Sequence, residues 1–73
     1  MKKYLVIVEK MATGFSAFSP DLPGCVATGK TKTSVEKRMQ QAIELHLEML
    51  MTAGQRPPRS QAYSKYLSVA YSN

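Results

Sequence analysis

The chain has 73 residues, a single cysteine, 44% hydrophobic residues and a formal charge of +5 at neutral pH. This length holds one small domain and excludes a catalytic domain joined to a regulatory one. The lone cysteine excludes an internal disulfide, and no apolar run approaches the roughly 18 residues of a membrane span.

The opening residues are basic, then apolar, and the apolar run stops at Glu9. That run is too short for a secretory signal, so the cytoplasm is the expected compartment. Residues 4–8, Tyr-Leu-Val-Ile-Val, read as a first strand. Their unbroken apolar character suggests cover on both faces. Met11-Ala12-Thr13-Gly14 reads as a turn, and residues 15–19 as a second strand hairpinned to the first. Phe15 and Phe18 fall on opposite faces of a regular strand, which calls for a bulge or for burial on both sides. Pro20-Asp21-Leu22-Pro23-Gly24 interrupts the sheet, because each proline fixes φ and removes a backbone donor. Within it, Asp21 reads either as an Asx-type side chain bonding a nearby backbone N–H or as a charged contact for a partner. Residues 25–29 read as a third strand ending at Gly29.

A helix follows. Thr33-Ser34-Val35-Glu36 fits a capping box with Thr33 as N-cap and Glu36 reaching back. At about 100° per residue, Met39, Ala42, Ile43, His46, Met49, Leu50 and Ala53 share the face of Val35, while Gln40, Lys37, Glu44 and Glu48 lie opposite. Gly54 stands where a C-terminal glycine cap belongs, and Pro57-Pro58 stops any continuation. In residues 60–73, Tyr63, Tyr66, Leu67, Val69 and Tyr71 favour a final strand, with Leu67 and Val69 on one face and Tyr66 on the other. The expected fold is α+β in two layers: a three-stranded antiparallel sheet, one helix, then a fourth strand.

Three pieces of this sequence are familiar together: Lys3-Tyr4-Leu5-Val6-Ile7-Val8-Glu9-Lys10, then Gly14-Phe15-Ser16-Ala17 with Pro20-Asp21-Leu22-Pro23-Gly24-Cys25, and Ala42-Ile43-Glu44-Leu45-His46-Leu47. They resemble the N-terminal domain of the HicB antitoxin family. The resemblance covers about residues 2–58, and its most specific piece is the Pro-Asp-Leu-Pro-Gly-Cys run. It implies a partial RNase H-like fold, β-β-β-α-β. It also implies an antitoxin that binds and neutralises a small HicA-like toxin, which cleaves mRNA. Full-length antitoxins of this kind carry a DNA-binding segment after the fourth strand. Residues 1–73 are expected to form a single HicB-like domain without one.

Catalysis finds no support in the residues. A nuclease of the RNase H type holds metals with clustered carboxylates, yet residues 4–8 contain no acid and none follows Glu48. Glu44 and Glu48 read as a solvated helix face, His46 as a packed side chain, and Cys25 as a structural thiol. The expectation is a non-catalytic binding module with no cofactor and no metal. The basic excess is spread over residues 1–33 and 54–73, with no dense stripe, so nucleic-acid binding is expected to be weak or absent. The alternative readings are an accessory basic protein, with Tyr63, Lys65 and Tyr66 as its one aromatic–basic group, and an orphan homo-oligomeric domain. Asp21, Leu22, Leu47, Met51 and Tyr66 are the candidate partner contacts. Leu47 and Met51 lie about 120° and 160° from Val35, outside the buried arc. A first strand apolar on both faces, with one helix to cover it, points to a homodimer or higher oligomer.

Overall fold

The computed structural model describes residues 2–72. It contains β1 (Ile7–Met11), β2 (Gly14–Phe18), β3 (Val26–Gly29) and α1 (Lys32–Thr52). The strands form one antiparallel sheet in the order β1-β2-β3. Ile7 pairs with Phe18 and Met11 with Gly14; Phe15 pairs with Gly29 and Phe18 with Val26. The helix lies on one face of this sheet, chiefly over β3 and β2, and meets β1 least.

The first strand begins three residues later than the apolar run predicts. A strand exists only where a neighbour supplies a ladder, and β2 reaches back no further than the partner of Ile7. Ahead of that point Leu5 is held differently, its carbonyl accepting from the Ser19 hydroxyl at 2.8 Å. Tyr4 and Val6 nonetheless pack on the core. The register on both sides of β2 runs without interruption, so Phe15 and Phe18 face opposite ways with no bulge. Phe15 packs against the core, whereas Phe18 is partly exposed on the face the helix does not cover.

The helix also starts earlier than predicted. Thr31, not Thr33, is the N-cap, and Ser34, not Glu36, closes the box. The Ser34 N–H donates to Thr31 Oγ1 at 3.0 Å, and the Thr31 N–H donates to Ser34 Oγ at 3.1 Å. Gly29 packs directly against this first turn. A Cβ at Gly29 would stand 2.7 Å from the Val35 nitrogen and 3.0 Å from its Cα, so only glycine lets β3 run directly into the first helical turn. At the other end Gly54, with φ of 75°, sits just past the Ala53 cap. Its N–H donates to Met51 O and that of Gln55 to Leu50 O, the paired bonds of a Schellman motif.

Ala17, Leu22, Cys25, Val35 and Met39 form the core, with Ala42, Ile43 and Leu47 packed against it. The helical face predicted from periodicity holds only over its first half. Met49 and Ala53 are exposed, and His46 and Leu50 are half-buried. Lengths explain this: a 21-residue helix rises about 31 Å, while strands of four or five residues span about 16 Å. The last turns overhang the sheet.

The predicted fourth strand is not formed. Residues 55–72 have neither helix nor ladder, and Leu67 and Val69 are 72% and 79% exposed. The two terminal residues, including the last of the predicted strand, lie outside the described region.

A candidate protein-interaction surface

The five candidate contacts scatter over three environments. Leu22 is not a surface residue at all: it is fully buried in the core, which corrects its assignment as a partner contact. The Pro-Asp-Leu-Pro-Gly loop folds inward on it, with the Leu22 N–H donating to Ser19 O and the Cys25 N–H donating to Leu22 O. The same tight turn that looks exposed in sequence thus delivers a plug to the space between sheet and helix.

Asp21 stands beside it, half-buried, and turns its carboxylate toward the C-terminal segment. Its Oδ2 accepts from the N–H groups of Gln61 and Ala62, both at 3.0 Å. In place of an Asx-type bond to a near neighbour, the bonds run to residues some forty positions away. A second tie lies close by, where the Tyr4 hydroxyl donates to Pro58 O. Two anchors therefore pin residues 58–62 across one end of the sheet, and the chain beyond Ala62 is free of the body.

Leu47 is half-buried at the edge of the core, while Met51 is largely exposed one turn further on. The two line a shallow depression with Glu44, Glu48 and Thr52. On the adjoining flank, exposed Leu45 and Met49 frame Glu48 from the other side. The overhanging end of α1 is thus an apolar patch with two carboxylates in it. Sequence reasoning misses Leu45 and places Met49 on the buried arc. Comparing the length of the helical pattern with that of the strands flags both. Tyr66 is fully exposed in the C-terminal segment, together with Tyr63, Leu67, Val69 and Tyr71. The uncovered face of the sheet adds a third region, where Ile7, Phe18 and Val26 stand in register across the three strands and Val26 is 64% exposed.

Cys25 is buried in the core, and burial pushes its thiol above the usual range, the opposite of an activated nucleophile. Among the described residues, no three His, Cys, Asp or Glu side chains gather where they would hold a metal ion. No helix among them is long and apolar enough to cross a membrane.

Comparison with known proteins places this arrangement. In solved structures, a chain of the HicA3 and HicB3 toxin-antitoxin complex superposes with a TM-score of 0.68 at 30% identity, covering 81% of this chain and 70% of that one. A UPF0150 protein of Synechocystis is 36% identical over 67 residues, spanning 90% of this chain and 85% of the relative. One from Thermoplasma acidophilum is 36% identical over 61 residues, 82% and 88% of the two chains. An uncharacterised 14.9 kDa protein from the rep-hol intergenic region of Haemophilus phage HP1 is 28% identical over 65 residues. This chain covers 89% of its own length in that match but spans about half, 49%, of the phage protein. The family model for the HicB-like antitoxin of bacterial toxin-antitoxin systems matches residues 4–71, nearly the whole chain. With the three-stranded sheet, the capped helix and the inward-folded Pro-Asp-Leu-Pro-Gly loop accounted for, the chain belongs to the HicB-like antitoxin family.

Proposed function

We propose that this protein is an antitoxin that binds a HicA-like, mRNA-cleaving toxin and neutralises it by covering its surface. The observation that carries this reading is the family match over residues 4–71, joined to the 30% identity with a chain of the HicA3 and HicB3 complex. The module acts by binding alone, without catalysis, cofactor or metal, in the cytoplasm. In this reading the β-β-β-α frame is the greater part of the partial RNase H-like unit, and the C-terminal segment supplies its fourth strand once that segment has a sheet edge to pair with.

The overhanging end of α1 is the surface we assign to the toxin. Met51, Leu45 and Met49 provide exposed apolar area, and methionine adapts to the shape of a partner. Glu44 and Glu48 place negative charge beside it, within residues 34–53, where three acids stand against two bases. An apolar centre with an acidic rim suits a basic partner, and complementary charge raises the encounter rate. It does so locally, although the chain as a whole is positive.

Co-expression with a HicA-like toxin and affinity capture test the assignment. The expected result is rescued growth and a stable complex with the wild-type chain, and loss of both with Met51→Arg. Failure of the wild-type chain to capture the toxin at low salt or to relieve its toxicity would refute the antitoxin reading. A nucleic-acid reading has one observation in its favour, the exposure of Tyr63 and Tyr66 on either side of Lys65. RNA binding that falls steeply with salt would support it.

A further inference from the structure

Residues 63–71 carry a strand's pattern without a strand's environment. Tyr63, Leu67, Val69 and Tyr71, with Lys65 in the same row, alternate with Ser64, Tyr66, Ser68 and Ala70 in the two-residue period of a ladder. Yet every large apolar side chain in this stretch is 72% exposed or more. A contiguous exposed apolar row of this kind marks an interaction surface. The shape agrees: the radius of gyration is 14.8 Å and the long dimension 54 Å, whereas a compact chain of this length has a radius of about 11 Å.

The segment is carried away from its own sheet. Its first tie, Tyr4 to Pro58, lies at the start of the β1 column. Its second, Asp21 to Gln61 and Ala62, lies at the β2–β3 connection, across the end of the sheet. Pro57 and Pro58 stiffen the span before the ties. The chain that leaves Ala62 is therefore already past its own β1.

The sheet meanwhile has one edge ready to accept a strand. β3 is only four residues long, and its Thr28 carbonyl already accepts from the Arg38 guanidinium at 3.2 Å. β1 carries an open ladder along its outer side. Because α1 sits over β3 and β2, a groove of about 410 Å³ remains beside residues 2–6, just ahead of β1, walled by Tyr4, Val6, Met39, Ile43 and Leu47 with charged Lys2, Glu36 and Glu44 among them. It is mainly apolar and lies where side chains of a strand added to β1 and continued along residues 2–6 would project toward the helix.

We propose that residues 63–71 form the fourth strand in trans, pairing along β1 of a second copy and laying Leu67 and Val69 into that copy's groove. Each copy has one strand without an edge and one edge without a strand, and a two-fold exchange satisfies both with a single closed operation. A second copy is thus the occupant whose complementarity is already present, main chain to main chain and apolar row to apolar groove. The exchange goes beyond the toxin-binding role and leaves Met51 and Met49 outside it, although Glu44 and Leu47 border both surfaces.

Light scattering on the full chain without toxin tests the exchange. The wild-type chain is expected at about 16 kDa, twice the 8.1 kDa of one copy, at tens of micromolar. Leu67→Asp with Val69→Asp is expected to weaken the dimer at least about 100-fold with the circular dichroism of sheet and helix retained, because the substituted residues lie outside the core. Mixed copies, one bearing Ser68→Cys and the other Glu9→Cys, both on the sheet face that α1 leaves uncovered, are expected to cross-link to each other. A monomeric wild-type chain overturns the proposal, as does a dimer indifferent to the double substitution. So does a chain carrying both cysteines that links only within itself, since its fourth strand is then its own. A segment protected from protease only after toxin is added would give the groove to the toxin instead. Failure of toxin capture with an intact dimer would sink the antitoxin reading and leave the exchange standing.

Discussion

Leu22→Ala separates two readings of the Pro-Asp-Leu-Pro-Gly loop, as a contact for a partner or as a support for the core. The side chain is fully buried and surrounded by Ala17, Cys25, Val35 and Met39. Truncation removes three carbon groups, worth about 2.4 kcal/mol in transfer at about 0.8 kcal/mol each. A cavity term is added, because the loop is pinned by the Leu22–Ser19 and Cys25–Leu22 backbone bonds and cannot collapse inward. The expected loss is about 3–4 kcal/mol, from a total that for this length is about 4–11 kcal/mol. In a domain of this size that corresponds to a fall in melting temperature of more than about 12 °C. Thermal and urea unfolding followed by circular dichroism, at one fixed protein concentration because association shifts the midpoint, measures it. Met51→Ala is the surface control and is expected to stay within about 0.5 kcal/mol of wild type while weakening toxin capture. A Leu22→Ala chain that unfolds within about 1 kcal/mol of wild type would refute the placement of this residue as the plug between sheet and helix.

Three further outcomes rest on the same geometry. Gly29→Ala drives a Cβ to 2.6 Å from Ser34 Oγ and against the Val35 backbone, and is expected to cost about 1–3 kcal/mol; an unchanged unfolding midpoint would contradict the close approach of β3 to α1. Asp21→Ala frees two N–H groups of the C-terminal segment and is expected to speed amide exchange at Gln61 and Ala62 up to about 10-fold, with the global midpoint moved little; exchange rates that stay put would show that the carboxylate is not the anchor. Burial raises the Cys25 thiol, so the folded chain holds that proton more tightly than the unfolded one. The resulting stabilisation is complete below the ordinary thiol value of 9.0 and is lost as pH rises through the elevated folded value. Denaturation midpoints are expected to decline across that alkaline range, less so in Cys25→Ala, and an equal decline in both would assign it to other groups.

The local elements were legible because their causes are local. The hairpin is written in the turn around Gly14, the break in two prolines, and the helix stop in Gly54 followed by Pro57 and Pro58. The capping box shows where local reasoning runs out: Thr33-x-x-Glu36 fits the usual signature, yet the helix is capped at Thr31, with Ser34 in the place of the acid. Leu22 illustrates the same limit, since a leucine between two prolines reads as exposed until the loop is seen to fold over the core. The exposed end of α1 comes from the mismatch between helix and strand lengths, which no helical wheel contains.

Taken alone, the amino-acid order determined an α+β frame of three strands and a helix, and a family resemblance. Those properties rest on interactions between residues close in sequence. Tertiary structure decided which apolar residues the frame covers, that Asp21 holds residues forty positions away, and that the last strand-forming segment finds no edge within its own sheet. The physical reason is that a ladder and a buried face each need a second surface, and where that surface lies depends on how the chain is packed.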